Sequence, residues 1–425
     1  MRTSTPVGRT AHDGHWPRVV RELADDLALD APARDRAGKP PYDEVARLKE
    51  AGLPALLVPP GADREGADLP AACTALTELA AADSSVAELL ARHYALAWTA
   101  RLLGTPEDAE RFEAATAREG RLLAGAVGRP GGTGLPGTSG LPGDPDGAEP
   151  ALVLAPSGRG RVLSGRLTLD AGATVADRLV VDARSTESGD AVVVLVDPAH
   201  PGVTASPSAD RLGQRLTGAG SVVFDAVPVS ARSVIGTVPR DEHAVAPRAA
   251  LAPLVLRLLL SQVALGTAEG ALAEARDISL ADRAAARSRH GGRAFGELPD
   301  ADPYLLLAYG ESATEAHAAA AVAEEAVRAL ARGLDAGAGL DAEEGADIAA
   351  LVGTAEAVVA RAAVGITTRV LGLFHSSDPA DGDPGLDRFW RNARVLTAHH
   401  SPARSLRDIG DHYLNSSPPR ALARH

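Results

Sequence analysis

The chain has 425 residues, 45% hydrophobic and 3% aromatic, with a formal net charge of −13 at pH 7. This length can bury a large core in two or three domains, and the acidic balance excludes a general nucleic-acid binder, which needs a basic surface. A single cysteine, Cys73, excludes a disulfide framework and a Cys-based zinc site, and with lysine only at Lys39 and Lys49 there is no phosphate loop ending in Gly-Lys-Ser/Thr.

Residues 1–15 are polar, lack the apolar centre of a signal peptide and are expected to be a disordered terminus. His12 and His15 have no companion ligands there, so no metal site is expected. Residues 16–120 read as an N-terminal helical domain, with an apolar-faced helix from Tyr42 stopped near Gly52 and further helices over 69–82, 85–103 and 106–118. Residues 121–236 read as a middle antiparallel β domain. It opens with a Gly/Pro-rich loop over 129–148, followed by strand-like runs at 151–155, 161–169, 178–182, 191–197 and 221–229.

Residues 237–425 read as a C-terminal four-helix bundle. Leu254, Leu258, Leu265 and Leu272 recur at helical spacing, then come helices over 303–334 and 342–371 and a fourth from about Asp387. Arg257 interrupts the best apolar run, at 254–260, so no membrane span is expected and the cytoplasm is the expected location. The fold class expected is therefore α+β, with an N-terminal helical domain, a middle β domain and a C-terminal four-helix bundle.

The densest chemistry lies in Leu386-Asp387-Arg388-Phe389-Trp390-Arg391-Asn392-Ala393-Arg394, followed by His399 and His400. Taken alone, the arginines read as structural partners of Asp387 and other bundle carboxylates, and the histidines suit a helix C-terminus as well as catalysis. His93 and Tyr94 sit in an apolar helix, where core packing is the plain reading. Arg287 and Arg289 read as helix-end charges, and Gln214, Arg215 and Thr217 as turn residues.

The run from Leu386 to Arg394 resembles the signature of the flavin-dependent monooxygenase branch of the acyl-CoA dehydrogenase superfamily. Supporting pieces in the same order are Glu50-Ala51-Gly52-Leu53 with Val58-Pro59, Gly165-Arg166, Gly172-Ala173, Ala176-Asp177-Arg178-Leu179, the stretch from Gly213 to Ser221, Phe224 to Val229, Asp302-Pro303-Tyr304 and Gly310-Glu311. The resemblance implies an acyl-CoA dehydrogenase-like fold, a homotetramer, and reduced FMN (or FAD) supplied by a separate flavin reductase. It further implies oxygenation of a small organic molecule at S, N or C; from the apolar runs alone, no membrane partner is expected. His399, His400, His93 and Tyr94 fall at its catalytic places. Asp170, Ala171 and Gly172 fall on the flavin strand, Gln214, Arg215 and Thr217 at the flavin or substrate pocket, and Arg287 and Arg289 at the flavin phosphate.

Two departures stand out. The family's Ser or Thr before Gly172 is absent, the sequence reading Asp170-Ala171, and Leu396 replaces a second histidine. A dehydrogenase would carry a glutamate near His400, yet no carboxylate lies between Asp387 and Asp408. The competing readings are an FAD-dependent acyl-CoA dehydrogenase and a non-catalytic relative acting as a binding protein.

Overall fold

A computed structural model describes residues 15–59, 66–127, 152–158, 160–239, 245–289, 302–374, 385–398 and 402–415. The N-terminal part folds as α1 (His15–Ala28), α2 (Ala31–Ala37), α3 (Tyr42–Glu50), α4 (Leu69–Ala82), α5 (Ser84–Ala97), α6 (Thr99–Leu103) and α7 (Pro106–Glu119). Side-chain caps start several of them. Asp68, Asp83 and Thr105 each accept an N–H from the first turn of the helix that follows, supplying orphan donors that would otherwise stay unpaired. The single helix expected over 85–103 is broken into α5 and α6 at Trp98, whose indole N–H is held by Leu57 O at 3.0 Å.

The middle sheet holds β1 (Leu123–Ala126), β2 (Val153–Ser157), β3 (Gly160–Leu169), β4 (Arg178–Ser185), β5 (Ala191–Val196), β6 (Val203–Pro207), β7 (Gly220–Val229) and β8 (Val234–Val238). Its order is β6-β7-β3-β2-β4-β5-β8, with β1 also on β4. The sheet is mixed rather than antiparallel, because β4 runs parallel to both β1 and β2. A long connection, containing the β2–β3 hairpin, separates β1 from β4 and gives the chain room for a parallel return.

The C-terminal part holds α8 (Ala252–Arg289), α9 (Pro303–Ala336), α10 (Ala342–Leu373), α11 (Asp387–Ala398) and α12 (Pro402–Asn415). The described residues thus give five helices where four were expected. Pro402, with its φ preset for a first helical position, opens α12. Contrary to the expectation for membrane spans, α8 and α10 are long and apolar enough to cross a bilayer by composition, but most of each apolar window is buried within the protein.

One helical core unites the two ends of the chain. It runs from Val20 and Leu27 through Leu76, Leu90 and Tyr94 to Leu258, Val352, Ile366 and Phe389. α4 and α8 meet at backbone distance, and a Cβ on Gly266 or Gly270 would sit 2.2 Å from Thr77 O or Ala81 O. Only glycine permits that approach. The β domain has its own core around Leu154, Leu163, Val181, Val194 and Phe224.

Candidate active site

Where β3 ends, Asp170-Ala171-Gly172 turns against the loop 211–219. Gly172 takes φ +77, and a Cβ there would lie 2.4 Å from that of Ala124, so the turn accepts only glycine. Gly172 donates its N–H to Thr217 O at 2.7 Å. Thr217 Oγ1 lies 2.7 Å from Asp170 O and 3.1 Å from Gln214 O. Asp170, Ala171, Gly172, Gln214 and Thr217 are thereby brought into one corner. Arg215 turns away, its Nε donating to Arg211 O at 3.0 Å.

Helix α5 supplies the corner's charge. Arg92 donates through Nε to Glu88 Oε1 at 2.8 Å, and its Nη2 stands 3.3 Å from Asp170 Oδ2. Glu88 is fully buried and Arg92 nearly so, and Glu88 Oε2 has no partner among the described residues. Burial works against the guanidinium's charge, but Glu88 and Asp170 more than offset it and hold Arg92 above its ordinary range. Thr174 Oγ1, just beyond Gly172, is also buried and has no partner among the described residues.

His93 and Tyr94, expected as catalytic, are both engaged by backbone groups of the protein. His93 Nε2 lies 2.6 Å from Pro54 O, and Nδ1 accepts the N–H of Leu123 at 3.0 Å. That pattern requires neutral imidazole with its proton on Nε2. Burial pushes the His93 pKa down to about 4. Tyr94 donates to Leu53 O at 2.9 Å and is fully buried, which raises its phenol. The pair fastens α5 to the turn at 53–55 and to β1. The residue beside them, Arg92, faces the corner and was missed. Its signal was a Glu88/Arg92 charge pair at i, i+4 inside an otherwise apolar helix.

α11 closes the arrangement from the third domain. Asn392 Oδ1 accepts the N–H of Gln214 at 2.7 Å, and its amide donates to Ser84 Oγ at 2.9 Å. Gln214 is fully buried with φ +52, and its side-chain oxygen receives the hydroxyls of Ser84 and Ser85 at 3.2 and 3.0 Å. Gln214, expected at the cofactor, is thus saturated by protein partners and acts as a keystone among three domains. Arg391 pairs with Asp35 at 2.5 Å and Asp387 at 2.9 Å and donates to Leu212 O. Arg388 pairs with Glu274 at 2.5 Å, with its guanidinium 4.1 Å from the Phe389 ring centre. His399 and His400 lie outside the described residues. Arg287 and Arg289 stand in the last turn of α8, their side chains outside the described ones.

Two buried groups in this region titrate in opposite senses. The His93 pKa falls from 6.5 to about 4, so the unfolded chain binds the extra proton and stability rises with pH between about 4 and 6.5. Burial lifts Asp83 from 3.8 to about 6 despite its ion pair with Arg34. The folded chain then binds the extra proton, and stability falls as pH rises across that window. The two slopes oppose each other between about 4 and 6. Asp83→Asn removes one of them, so its melting temperature should climb more steeply from pH 4.5 to 6.5 than the parent's. Equal slopes in circular-dichroism melts would refute this.

Family models agree with this architecture. The acyl-CoA dehydrogenase N-terminal domain matches residues 16–119 and the C-terminal domain matches 258–403. The chain is 29% identical over 419 residues to dibenzothiophene monooxygenase of Rhodococcus erythropolis, covering 97% of this chain and 96% of the relative. It is 27% identical over 405 residues to a probable FMNH2-dependent monooxygenase of Pseudomonas putida, covering 94% and 95%. With L-evernosamine nitrososynthase of a Micromonospora strain it shares 32% over 337 residues, covering 74% and 72%. Among solved structures, TdsC of Paenibacillus sp. A11-2 in complex with FMN and indole superposes with a TM-score of 0.80 at 27% identity, covering 96% of this chain and all of that one. By its domain order and by relatedness along nearly its whole length, the chain belongs to the flavin-dependent monooxygenase branch of the acyl-CoA dehydrogenase superfamily.

Proposed function

We propose that this enzyme takes reduced FMN from a separate flavin reductase and uses O2 to oxygenate a small organic molecule at sulfur, nitrogen or carbon. The observation that carries the reading is the sequence after α11, where His399 and His400 replace the glutamate of a dehydrogenase and no carboxylate intervenes before Asp408. The corner at the end of β3 fits FMN by its donor set. It offers the carboxylate of Asp170, a guanidinium in Arg92, and the buried hydroxyl of Thr174, which has no partner among the described residues. Ala171 adds only a methyl where the family carries a hydroxyl.

FMN, when bound, supplies the electrons that activate oxygen. The protein's part is to bind, orient and exclude water. The turn at Asp170–Gly172 is held rigid by Thr217, which fixes where a ring edge would rest. Arg287 and Arg289 are the phosphate anchors in this reading, because a guanidinium fork matches phosphate oxygens. His399, with His400 second, holds or moves the reaction's proton, a task suited to an imidazole titrating near neutrality.

Titrating the purified protein with FMN and FAD, followed by flavin fluorescence, tests the cofactor. Oxygen uptake with a reductase then tests the reaction. FMN should bind more tightly than FAD, and His399→Ala should lower turnover by about 100-fold or more, the usual contribution of a positioned acid or base. Absence of flavin binding overturns the reading, and bleaching of bound FAD by an acyl-CoA without a reductase replaces it with a dehydrogenase. The reading includes a homotetramer, supported by exposed Tyr304 and Leu307 on α9 and Tyr413 and Leu414 on α12. Light scattering that returns the mass of one chain would overturn that part.

A further inference from the structure

The hydroxyl lost at Ala171 leaves the carboxylate of the preceding residue, Asp170, beside the flavin, which poses an electrostatic problem, since a carboxylate disfavours a neighbouring anion. The structure contains an answer. Asp170 Oδ2 faces Arg92 Nη2 at 3.3 Å, while Oδ1 has no partner among the described residues. Arg92 does not swing freely, because Glu88, one turn earlier and fully buried, holds its Nε at 2.8 Å. The backbone on either side of Ala171 is also fixed, with Asp170 O and Gly172 N–H both engaged by Thr217. The aspartate is therefore aimed, and its charge is covered on one side only.

We propose that Arg92 and Asp170 form a matched pair that recognises the cofactor. Asp170 Oδ1 accepts an N–H of the flavin's pyrimidine ring, and Arg92 offsets the carboxylate so that reduced, anionic FMN is still bound. The pair performs the task of the missing hydroxyl by a different chemistry: an ionised acceptor with its own counter-charge. Glu88 positions Arg92 and touches no ligand. The inference rests on the monooxygenase reading but makes a separate demand, namely that the two redox forms of FMN respond differently to the same substitution.

A purely structural ion pair would not make that demand. Its loss would loosen the corner and weaken oxidised and reduced FMN alike. A charge-compensated acceptor behaves otherwise, because a charge within about 4–6 Å changes the balance between a charged and a neutral form by tenfold or more. Asp170→Asn keeps the side-chain shape and removes the negative charge, so the ratio of reduced to oxidised affinity should rise about tenfold. Arg92→Gln alone would strand Glu88 as a buried unpaired charge and endanger folding. Glu88→Gln with Arg92→Gln avoids that and leaves Asp170 uncovered, so the same ratio should fall about tenfold. Adding Asp170→Asn to that double variant should bring the ratio back to the parent's value or above.

The experiment is anaerobic titration of each variant with oxidised FMN and with dithionite-reduced FMN, together with the midpoint potential of the bound flavin. Opposite shifts in Asp170→Asn and in the Glu88/Arg92 double variant support the proposal. Ratios within twofold of the parent in both, whether or not the affinities fall together, overturn it and leave the pair as a structural link. A parent protein that binds neither form of FMN overturns the monooxygenase reading itself, an outcome distinct from unchanged ratios in a protein that binds.

Discussion

His93→Ala is expected to destabilise the folded protein by about 4 kcal/mol. The imidazole is wholly buried and joins Pro54 O to the N–H of Leu123, two backbone groups on different elements. Alanine leaves both unpaired, at roughly 1–3 kcal/mol each, and leaves a cavity besides. Urea denaturation of the flavin-free protein reads this directly, without reference to activity. His93→Gln is the useful companion, because one amide can meet at most one of the two groups in place, so it should recover only part of the loss. If instead both variants denature at the parent's midpoint while turnover collapses, His93 acts on substrate or cofactor and its structural assignment fails.

That assignment shows where the sequence was legible and where it was not. The long apolar stripes of α8 and α10, the strand runs of β3 to β5 and β7, and the Gly172 turn were readable because local chemistry determines them. The distinction between Arg92 and His93 was not. Neighbours on a helix point about 100° apart, and an isolated apolar helix does not reveal which side meets a distant strand. Gln214 posed the same difficulty in a stronger form. Its main-chain partner, Asn392, lies 178 positions away, and nothing in the local turn chemistry of 211–219 announces it. β1, β6 and β8 are only four or five residues long, too short for alternation to register, and the parallel pairing of β1 with β4 followed from topology rather than pattern.

Asn392→Leu is expected to cost about 3 kcal/mol and to loosen one loop selectively. Leucine nearly matches the volume but offers neither acceptor nor donor, so the Gln214 N–H loses its acceptor and Ser84 Oγ loses a donor, keeping only its own bond to Gln214 Oε1. Gln214 also holds a left-handed backbone conformation at φ +52, which persists only when its surroundings over-determine it. With the Asn392 bond gone, residues 211–219 should exchange their amide hydrogens at least tenfold faster, while the strands around Val181 and Val194 keep their protection. Uniform acceleration across the sheet would mean the bond supports the whole β domain rather than the corner. No change would mean Gln214 is held by Ser84 and Ser85 alone.

The close seam of α4 and α8 at Gly266 and Gly270 carries a consequence for how the chain is made. The N-terminal helices share their core with residues beyond 250, while the β domain, from Leu123 to Val238, interrupts that core as an insertion. During synthesis, the apolar faces of α4 and α5 emerge long before their partner surface exists. The β domain, whose core is local to itself, can mature during the wait. Nascent chains halted before α8 would therefore hold a finished sheet beside sticky, unsheltered helices, the species that chaperones are expected to guard.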